Sequence, residues 1–474
     1  LTRKHPSDLE IVIPPIGLMY IASYLKGKLG DAIEVRVIKN IVDCISEQSL
    51  IDILKNYTPD IAGISGFIIF QKEFHQTAKV IKDFNRQITV VGGGPYVNMD
   101  LEEAIKDANI DYFVLGEGEI TFSEFISKML NKESPEDILG LAYRKGGKTV
   151  INPPRPFIED LDSLPFPDYS LISVDKYSKF ISYGFYRRKQ AVVFSSRGCP
   201  YQCIFCHNMF GRKFRARSAE NVFKEVEMLY RDYQIRDFQF VDDNFNLDYQ
   251  RAMRIFELII KSGMKINIYF PNGLRGDIID HAFIDRMVEA GTILVLYSIE
   301  TASERLQKFI KKFADLKKLR DNIHYTCSKG IMVGCYIMAG FPTESKEEAL
   351  ETVEFLKQFK KIVLPVFNSL RYYPNTEVYN IALKEGMPLN NIRDSYREPY
   401  HDISKCGTLL IPSLEFRNIH FKFVKEVFFS KERFLNAIEI QRKYSSEKEI
   451  LDFYSVHLAR RIKNIKKDLL AYTK

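Results

Sequence analysis

The run Gln190-Ala191-Val192-Val193-Phe194-Ser195-Ser196-Arg197-Gly198-Cys199-Pro200-Tyr201-Gln202-Cys203-Ile204-Phe205-Cys206-His207 decides how the rest of the chain is read. Gln190 to Phe194 is a short apolar run closed by a Ser-Ser-Arg-Gly turn, the pattern of a buried strand feeding a loop. Downstream the same pattern recurs at Asp237 to Val241, Lys265 to Phe270, Ile293 to Ser298, Val333 to Met338 and about Val363 to Leu370. Amphipathic helices such as Ala219 to Tyr230, Arg251 to Lys261 and Lys346 to Phe359 separate these strands. Six strand-helix units suit a partial, open (β/α)6 barrel of the TIM-like kind better than a closed eightfold one.

Upstream, a second α/β pattern runs from about Ile11 to Leu130. Helix Leu18 to Leu29, strand Ile33 to Ile38, helix Glu47 to Asn56, strand Ile61 to Ile64 and helix Phe74 to Phe84 come first. Strand Ile88 to Val91, helix Leu101 to Asp107, strand Asp111 to Leu115 and helix Phe122 to Leu130 follow. Regular alternation predicts a Rossmann-like, doubly wound parallel sheet. Its carboxyl edge carries Ser65-Gly66, Gly92-Gly93-Gly94 and Gly116-Glu117-Gly118-Glu119, and that edge is where such sheets take ligands. Residues 132–185 are rich in proline, with a hairpin expected at Gly146-Gly147, and read as an ordered connector. Beyond Glu398 only helical periodicity is left, at Phe416 to Phe429 and Val456 to Leu470. The expected domains are therefore 1–131, the linker 132–185, the barrel 186–397 and a small helical C-terminal region 398–474.

Composition narrows the function. A chain of 474 residues with 46% hydrophobic side chains, 35 Phe and 26 Tyr has ample material for several cores, which excludes a disordered protein. The net charge is +7, and 15 basic against 9 acidic residues in 401–474 account for +6 of it. With the first 400 residues near neutrality, no broad nucleic-acid face is expected. The longest uncharged run, Ile11 to Leu25, is 15 residues and holds two prolines, too short to span a bilayer. No cleavable signal is visible, and the seven cysteines are an odd, clustered set, which predicts a cytoplasmic protein with reduced thiols. The terminal helix, with Leu458, Ile462, Ile465 and Leu469 on one face and lysines and arginines around it, reads as a packed helix with a solvated basic face in preference to a membrane-surface anchor. The chain opens on Leu1, and an N-terminal piece is expected to be missing.

Cys199, Cys203 and Cys206 are spaced four and three apart on one loop. Three thiolates so placed can ligate three irons of a 4Fe-4S cubane and leave the fourth iron open for a reactant. An open iron of this kind can chelate S-adenosylmethionine (SAM) and pass an electron into its sulfonium. A structural zinc site built from the same cysteines and His207 is the alternative. Other strand ends supply groups on the same rim. Asp242 and Asp243 suit an ammonium group, Ser298 and Glu300 an amine or ribose hydroxyls, Arg275 (with Asn272 nearby) a carboxylate, and Gly340 close approach to an adenine.

At this point the chain resembles the cobalamin-binding branch of the radical SAM superfamily. Carrying the resemblance are Pro14-Pro15-Ile16-Gly17-Leu18-Met19-Tyr20, Val90 to Pro95, Leu115 to Phe122, Leu161 to Pro167, Ser196 to Cys206, Ser298 to Thr301, Gly340 to Glu344 and Tyr373 to Thr376. The resemblance implies that Cys199, Cys203 and Cys206 hold the 4Fe-4S cluster, with Phe205 beside the adenine of SAM. It implies that Ser65, Gly66, Gly92, Gly93, Gly94, Gly116, Glu117, Gly118 and Glu119 line the cobalamin. One departure is plain: the Asp-x-His-x-x-Gly loop of cobalamin domains with a histidine axial ligand is absent, and Lys39 to Cys44 stands in its place. Cobalamin is therefore expected without a histidine axial ligand. Relatives also carry a strand ahead of Pro14, expected here to be truncated or absent.

The function implied is C-methylation of an unactivated carbon. A 5′-deoxyadenosyl radical takes the hydrogen and methylcobalamin delivers the methyl group to a small-molecule or lipid substrate. The electron comes from a donor such as flavodoxin or ferredoxin. Two alternatives stay open: an oxidative cyclase of the tetrapyrrole type, and a non-catalytic cobalamin- or metabolite-binding sensor. A methylthiotransferase is disfavoured, because it needs three further cysteines in the first domain and only Cys44 lies there.

Overall fold

A computed structural model describes residues 11–44, 46–182, 186–397 and 407–455. The chain forms two compact units, one of residues 1–180 with 208–216, the other of 181–207 with 217–474.

In the first unit, helix α1 (Ile16–Leu29) starts directly after Pro14-Pro15, where a missing N–H costs nothing. Helix α2 (Glu47–Tyr57) starts on a Ser46 capping box. Strand β1 (Ile61–Ser65), helix α3 (Gln71–Phe84), strand β2 (Thr89–Gly93), strand β3 (Tyr112–Val114) and helix α4 (Gly118–Leu130) then alternate. β1, β2 and β3 are parallel neighbours, so their carboxyl ends share one edge, as the alternation predicts. The hairpin at Gly146-Gly147 forms with both glycines at positive φ (58° and 77°), as a tight turn between twisted strands requires. It is more than part of a connector. Its strands β4 (Leu141–Lys145) and β5 (Lys148–Ile151) extend the sheet, β4 running antiparallel to β3. Leu25, Val91, Val114, Phe125, Ile138 and Leu141 pack together across α1, α4 and the sheet.

Two expectations in this unit are corrected. Residues 33–38 do not form a strand, because no ladder partner flanks them among the described residues, although exposed side chains alternate there with half-buried ones and buried Val37. The helix expected over Leu101 to Asp107 is a single turn, Leu101–Ala104. The ten residues before Ile11, where a first strand would lie, are outside the described residues.

In the second unit six parallel strands stand in chain order: β6 (Gln190–Val193), β7 (Asp237–Phe240), β8 (Asn267–Leu274), β9 (Thr292–Glu300), β10 (Met332–Ala339) and β11 (Leu364–Ser369). β6 and β11 are the two edges of this sheet, so it is the open barrel the sequence predicts. The crossover helices α5 (Ala219–Asp232), α6 (Tyr249–Ser262), α7 (His281–Glu289), α8 (Leu316–Ser328) and α9 (Lys346–Lys357) each begin on a Ser or Asp cap whose side chain accepts a backbone N–H. Cys335 sits fully buried in β10, as its alternation with Val333 and Ile337 implies.

Helices α10 (Ser413–Phe423) and α11 (Lys431–Gln441) flank a π-helical turn at Val424–Phe428. Ala437, Ile440 and Phe453 pack on Leu294, Met332 and Leu364, closing the amino ends of the strands and leaving their carboxyl ends to the site. Fully buried Arg433 pins this region by donating to the carbonyls of Val427, Phe428, Ile362 and Val363. Burial pushes its guanidinium down to about 10. The basic helix expected over Val456 to Leu470 and Cys406 lie outside the described residues. No helix among the described residues is long and apolar enough to cross a membrane.

Candidate active site

Parallel strands put every carboxyl end of the second unit on one rim, and the cysteine loop leaves the first of them. Ile204, in the middle of that loop, is buried and pinned on both sides: its N–H donates to Ile310 and its carbonyl accepts from Val378. Cys206 N–H closes a tight turn onto the Cys203 carbonyl at 3.1 Å. None of the six described cysteines is in a disulfide. Among the described residues no three His, Cys, Asp or Glu side chains converge on one ion position. Burial pushes the Cys203 thiol up from its ordinary value, and the nearby Lys312 ammonium opposes it. His207, next to Cys206, has a buried Nδ1 without a hydrogen-bond partner, and burial holds its ring below the ordinary histidine value.

Beneath the loop lies a buried polar network. Ser195 Oγ and Ser196 Oγ both donate to Asp242 Oδ1, at 2.7 and 2.6 Å. Arg251 reaches the Ser195 carbonyl and hydroxyl at 3.1 Å from below, and Arg217 ties the Phe194 carbonyl to fully buried Glu225. These contacts fix the turn Ser195-Ser196-Arg197-Gly198 that aims the cysteines. Burial pushes both Asp242 and Glu225 up, opposed by Arg251 and Arg217 respectively. Asp242 Oδ2 and, two residues on, Asn244 Oδ1 are buried acceptors with no partner. Buried polar atoms in folded proteins are nearly always satisfied, so two open acceptors at one strand end mark a place for a ligand donor.

The remaining rim residues divide by what already occupies them. Asp243 is exposed and accepts the Gly198 N–H at 3.1 Å. Arg275 is not open to a carboxylate ligand: it grips Asp277, donates to the Lys312 carbonyl at 2.8 Å and lies 3.9 Å over the ring of Tyr201, between the first two cysteines. Its position is that of a prop for the cysteine loop. Glu300 is likewise engaged by Lys312 Nζ at 2.8 Å, both side chains being buried. Around that pair the backbone is left-handed at three non-glycine residues, Glu300 (φ 64°), Lys311 (φ 55°) and Phe313 (φ 51°), a concentration of strain typical of functional rims. Ser298 Oγ lies where a side chain on Gly273 would stand. Phe205 and Phe341 face each other with ring centroids 6.0 Å apart. Tyr372 donates to the Gly340 carbonyl and Arg371 to the Ser395 carbonyl, so both serve packing.

Sequence reasoning missed Lys312, Arg251, Arg217 and the role of Glu344. No spacing points to the first three. Glu344 closes the Gly340-Phe341-Pro342-Thr343-Glu344 segment, and the turn it caps was the available signal. Its carboxylate is fully buried and accepts the N–H groups of Gly340 and Phe341, with Oε1 left unpartnered. Burial pushes it up to about 7 from 4.5. The neutral form is therefore favoured on folding, so its contribution is fully present below pH 4.5 and is lost as pH rises through about 7. Glu344→Gln is expected to gain stability relative to the native chain across that window, by up to about 3 kcal/mol. Thermal unfolding from pH 5 to 8 checks this; parallel curves for the two proteins would show that Glu344 does not titrate there.

In the first unit the edge residues also separate. A Cβ on Gly94 would stand 2.1 Å from Ser65 Oγ, and one on Gly92 would press on Phe74 and Phe113, so these glycines let the sheet close. A Cβ on Gly118 would meet Ile21, while Gly66 and Gly93 have ordinary neighbours and Gly116 has none within 4 Å. Glu117 is buried and held by Arg215; Glu119 is buried in the first turn of α4. His75 has both ring nitrogens engaged, by Asp107 at 2.7 Å and Tyr96 at 2.8 Å.

Comparison with known proteins follows this division. The family model described as "Radical SAM superfamily" matches residues 193–356, and the one described as "B12 binding domain" matches residues 8–126. An uncharacterized methyltransferase of Pyrococcus horikoshii is 32% identical over 79% of this chain and 80% of its own length. The cytidylyl-2-hydroxyethylphosphonate methyltransferase of Streptomyces wedmorensis is 25% identical over 86% of this chain and 84% of its own. Among solved structures, the radical S-adenosylmethionine methyltransferase TsrM from Kitasatospora setae, with cobalamin and a [4Fe-4S] cluster bound, shares the fold. Its TM-score is 0.65 at 18% identity, over 79% of this chain and 72% of that one.

Proposed function

Because the chain belongs to the cobalamin-binding branch of the radical SAM superfamily, we propose that it is a cobalamin-dependent radical methyltransferase acting on an unactivated carbon of a small molecule or lipid. The observation that carries this reading is the rim itself: three cysteines outside any disulfide on a pinned loop, beside a strand end with two buried acceptors that lack donors. When bound, the cluster supplies one electron to SAM and the corrinoid supplies the methyl group.

The chain's own residues hold and aim these groups. Cys199, Cys203 and Cys206 ligate iron, and Lys312 offsets the negative charge that accumulates near Cys203. Asp242 Oδ2 and Asn244 Oδ1 accept from the ammonium of SAM, an assignment that gives each orphan a partner. Phe205, its ring packed against Phe341, lies beside the adenine near Gly340, and Ser298 serves a ribose hydroxyl. Arg275 and Glu300, which residue type and rim position suggested for SAM, act instead as supports of the loop and of Lys312. In the first unit Gly116 leaves room for a corrinoid, and Ser65, Gly66, Gly92, Gly93, Gly94, Glu117, Gly118 and Glu119 shape the edge around it. A flavodoxin or ferredoxin as electron donor and a cytoplasmic setting fit such chemistry.

Anaerobic reconstitution with iron, sulfide and hydroxocobalamin, followed by mass spectrometry of products, tests the reading. Formation of 5′-deoxyadenosine together with a product heavier by one CH2 is expected. A product that gains oxygen or a ring assigns the cyclase reading, and a protein that binds corrinoid but forms no 5′-deoxyadenosine is a sensor.

A further inference from the structure

Residues 208–216 pack with the first unit, although the chain enters them directly from Cys206 and His207 of the second. What holds this nine-residue strap is a buried clasp. Arg215 Nη1 contacts both oxygens of Glu117, at 2.9 and 3.0 Å, with the two side chains only 2% and 4% exposed. The Ile158 N–H donates to Glu117 Oε2 at 2.7 Å, and Arg215 also donates to the carbonyls of Ile158 and Phe210. The ring of Phe157 lies 4.8 Å under the guanidinium. On its other contact that ring presses so closely on Gly211 (φ 79°) that a Cβ there would stand 2.6 Å away.

A buried ion pair is costly to form unless its geometry is excellent and its remaining hydrogen bonds are made. Here most are made, and the acid comes from a telling place. Glu117 lies between Gly116, which faces open space, and Gly118, where α4 begins. The clasp thus fixes the edge loop at the end of β3 with a residue nine positions beyond Cys206.

We propose that Arg215 is a positioning residue that couples corrinoid binding to cluster binding, by clasping the edge loop 116–118 to the strap that leaves the cysteine loop. The proposal rests on the reading above that this edge takes the corrinoid. Each ligand orders one end of a common segment. Once the first is bound, the second has less disorder to remove, and the coupling is reciprocal.

The test is the affinity of the full chain for hydroxocobalamin, by anaerobic ultrafiltration and absorbance, with the cluster reconstituted and with it removed. The native chain is expected to bind about five- to tenfold more tightly when it carries the cluster. In Arg215→Gln that ratio falls to near one, while the variant still takes up iron and binds hydroxocobalamin. Arg215→Lys keeps the charge but not the fork, and its ratio falls too; it carries the test if the glutamine variant fails to fold. A clasp that merely stabilised the fold would lower the unfolding temperature and leave the ratio unchanged. A native ratio of one, or an undiminished ratio in the variants, overturns the coupling. No binding by the native chain in either state overturns the corrinoid reading instead.

Discussion

Cys203→Ser is expected to lose the visible cluster absorption, to retain iron only at background level after reconstitution, and to form no detectable 5′-deoxyadenosine from SAM. The reason is stoichiometric as much as electrostatic. Three thiolates hold three irons, and a serine hydroxyl is a harder, far less acidic ligand that leaves one iron to solvent. Cys203 also lies within the field of the Lys312 ammonium, which favours its thiolate while pairing directly with Glu300. Cys199→Ser and Cys206→Ser are expected to behave alike, since each cysteine serves its own iron. Cys335→Ser is the internal control: it lies fully buried in β10, away from the loop, and iron uptake there should survive even though a buried hydroxyl costs stability. Iron and sulfide analysis beside 5′-deoxyadenosine assay reads all four. Full iron loading of Cys203→Ser would remove that residue from the ligand set, and one tightly held zinc with no iron in the native chain would restore the zinc reading.

How much of this was legible in the sequence depends on what kind of signal each feature leaves. The six barrel strands were readable because a strand buried on both faces is a short apolar block between turn residues, and all six lie within a few residues of where Gln190, Asp237, Lys265, Ile293, Val333 and Val363 place them. The cysteine loop was readable because metal ligands on one loop keep a fixed spacing. Residues 33–38 show the limit: a strand exists only with a neighbour, and alternation alone does not say whether a neighbour is there. Buried charges left no trace either. Arg217, Arg251, Arg215 and Lys312 look like any solvated basic residue in the chain, and only the fold shows that each meets a buried acidic or carbonyl partner. Arg275 and Glu300 failed for the matching reason: residue type and rim position were right, but Asp277 and Lys312 were already there to claim them.

Asp242 is where the buried network and the site meet, and Asp242→Asn should separate its two roles. Asparagine keeps the size and an acceptor for Ser195 and Ser196, but it removes the charge that faces Arg251 and the acceptor Oδ2. Losing a charge-assisted hydrogen bond to the SAM ammonium is worth about 1.5–3 kcal/mol, roughly a 10- to 100-fold weaker affinity for SAM. Stability should hold or rise, because burial already pushes the Asp242 carboxyl up and a neutral amide carries no cost of burying a charge. Equilibrium binding of SAM to cluster-loaded protein and thermal unfolding read the two roles separately: weaker SAM binding with an unchanged or higher unfolding temperature is expected. An unfolding temperature that falls together with SAM affinity would make Asp242 a support of the cysteine loop alone, and the ammonium site would then rest on Asn244.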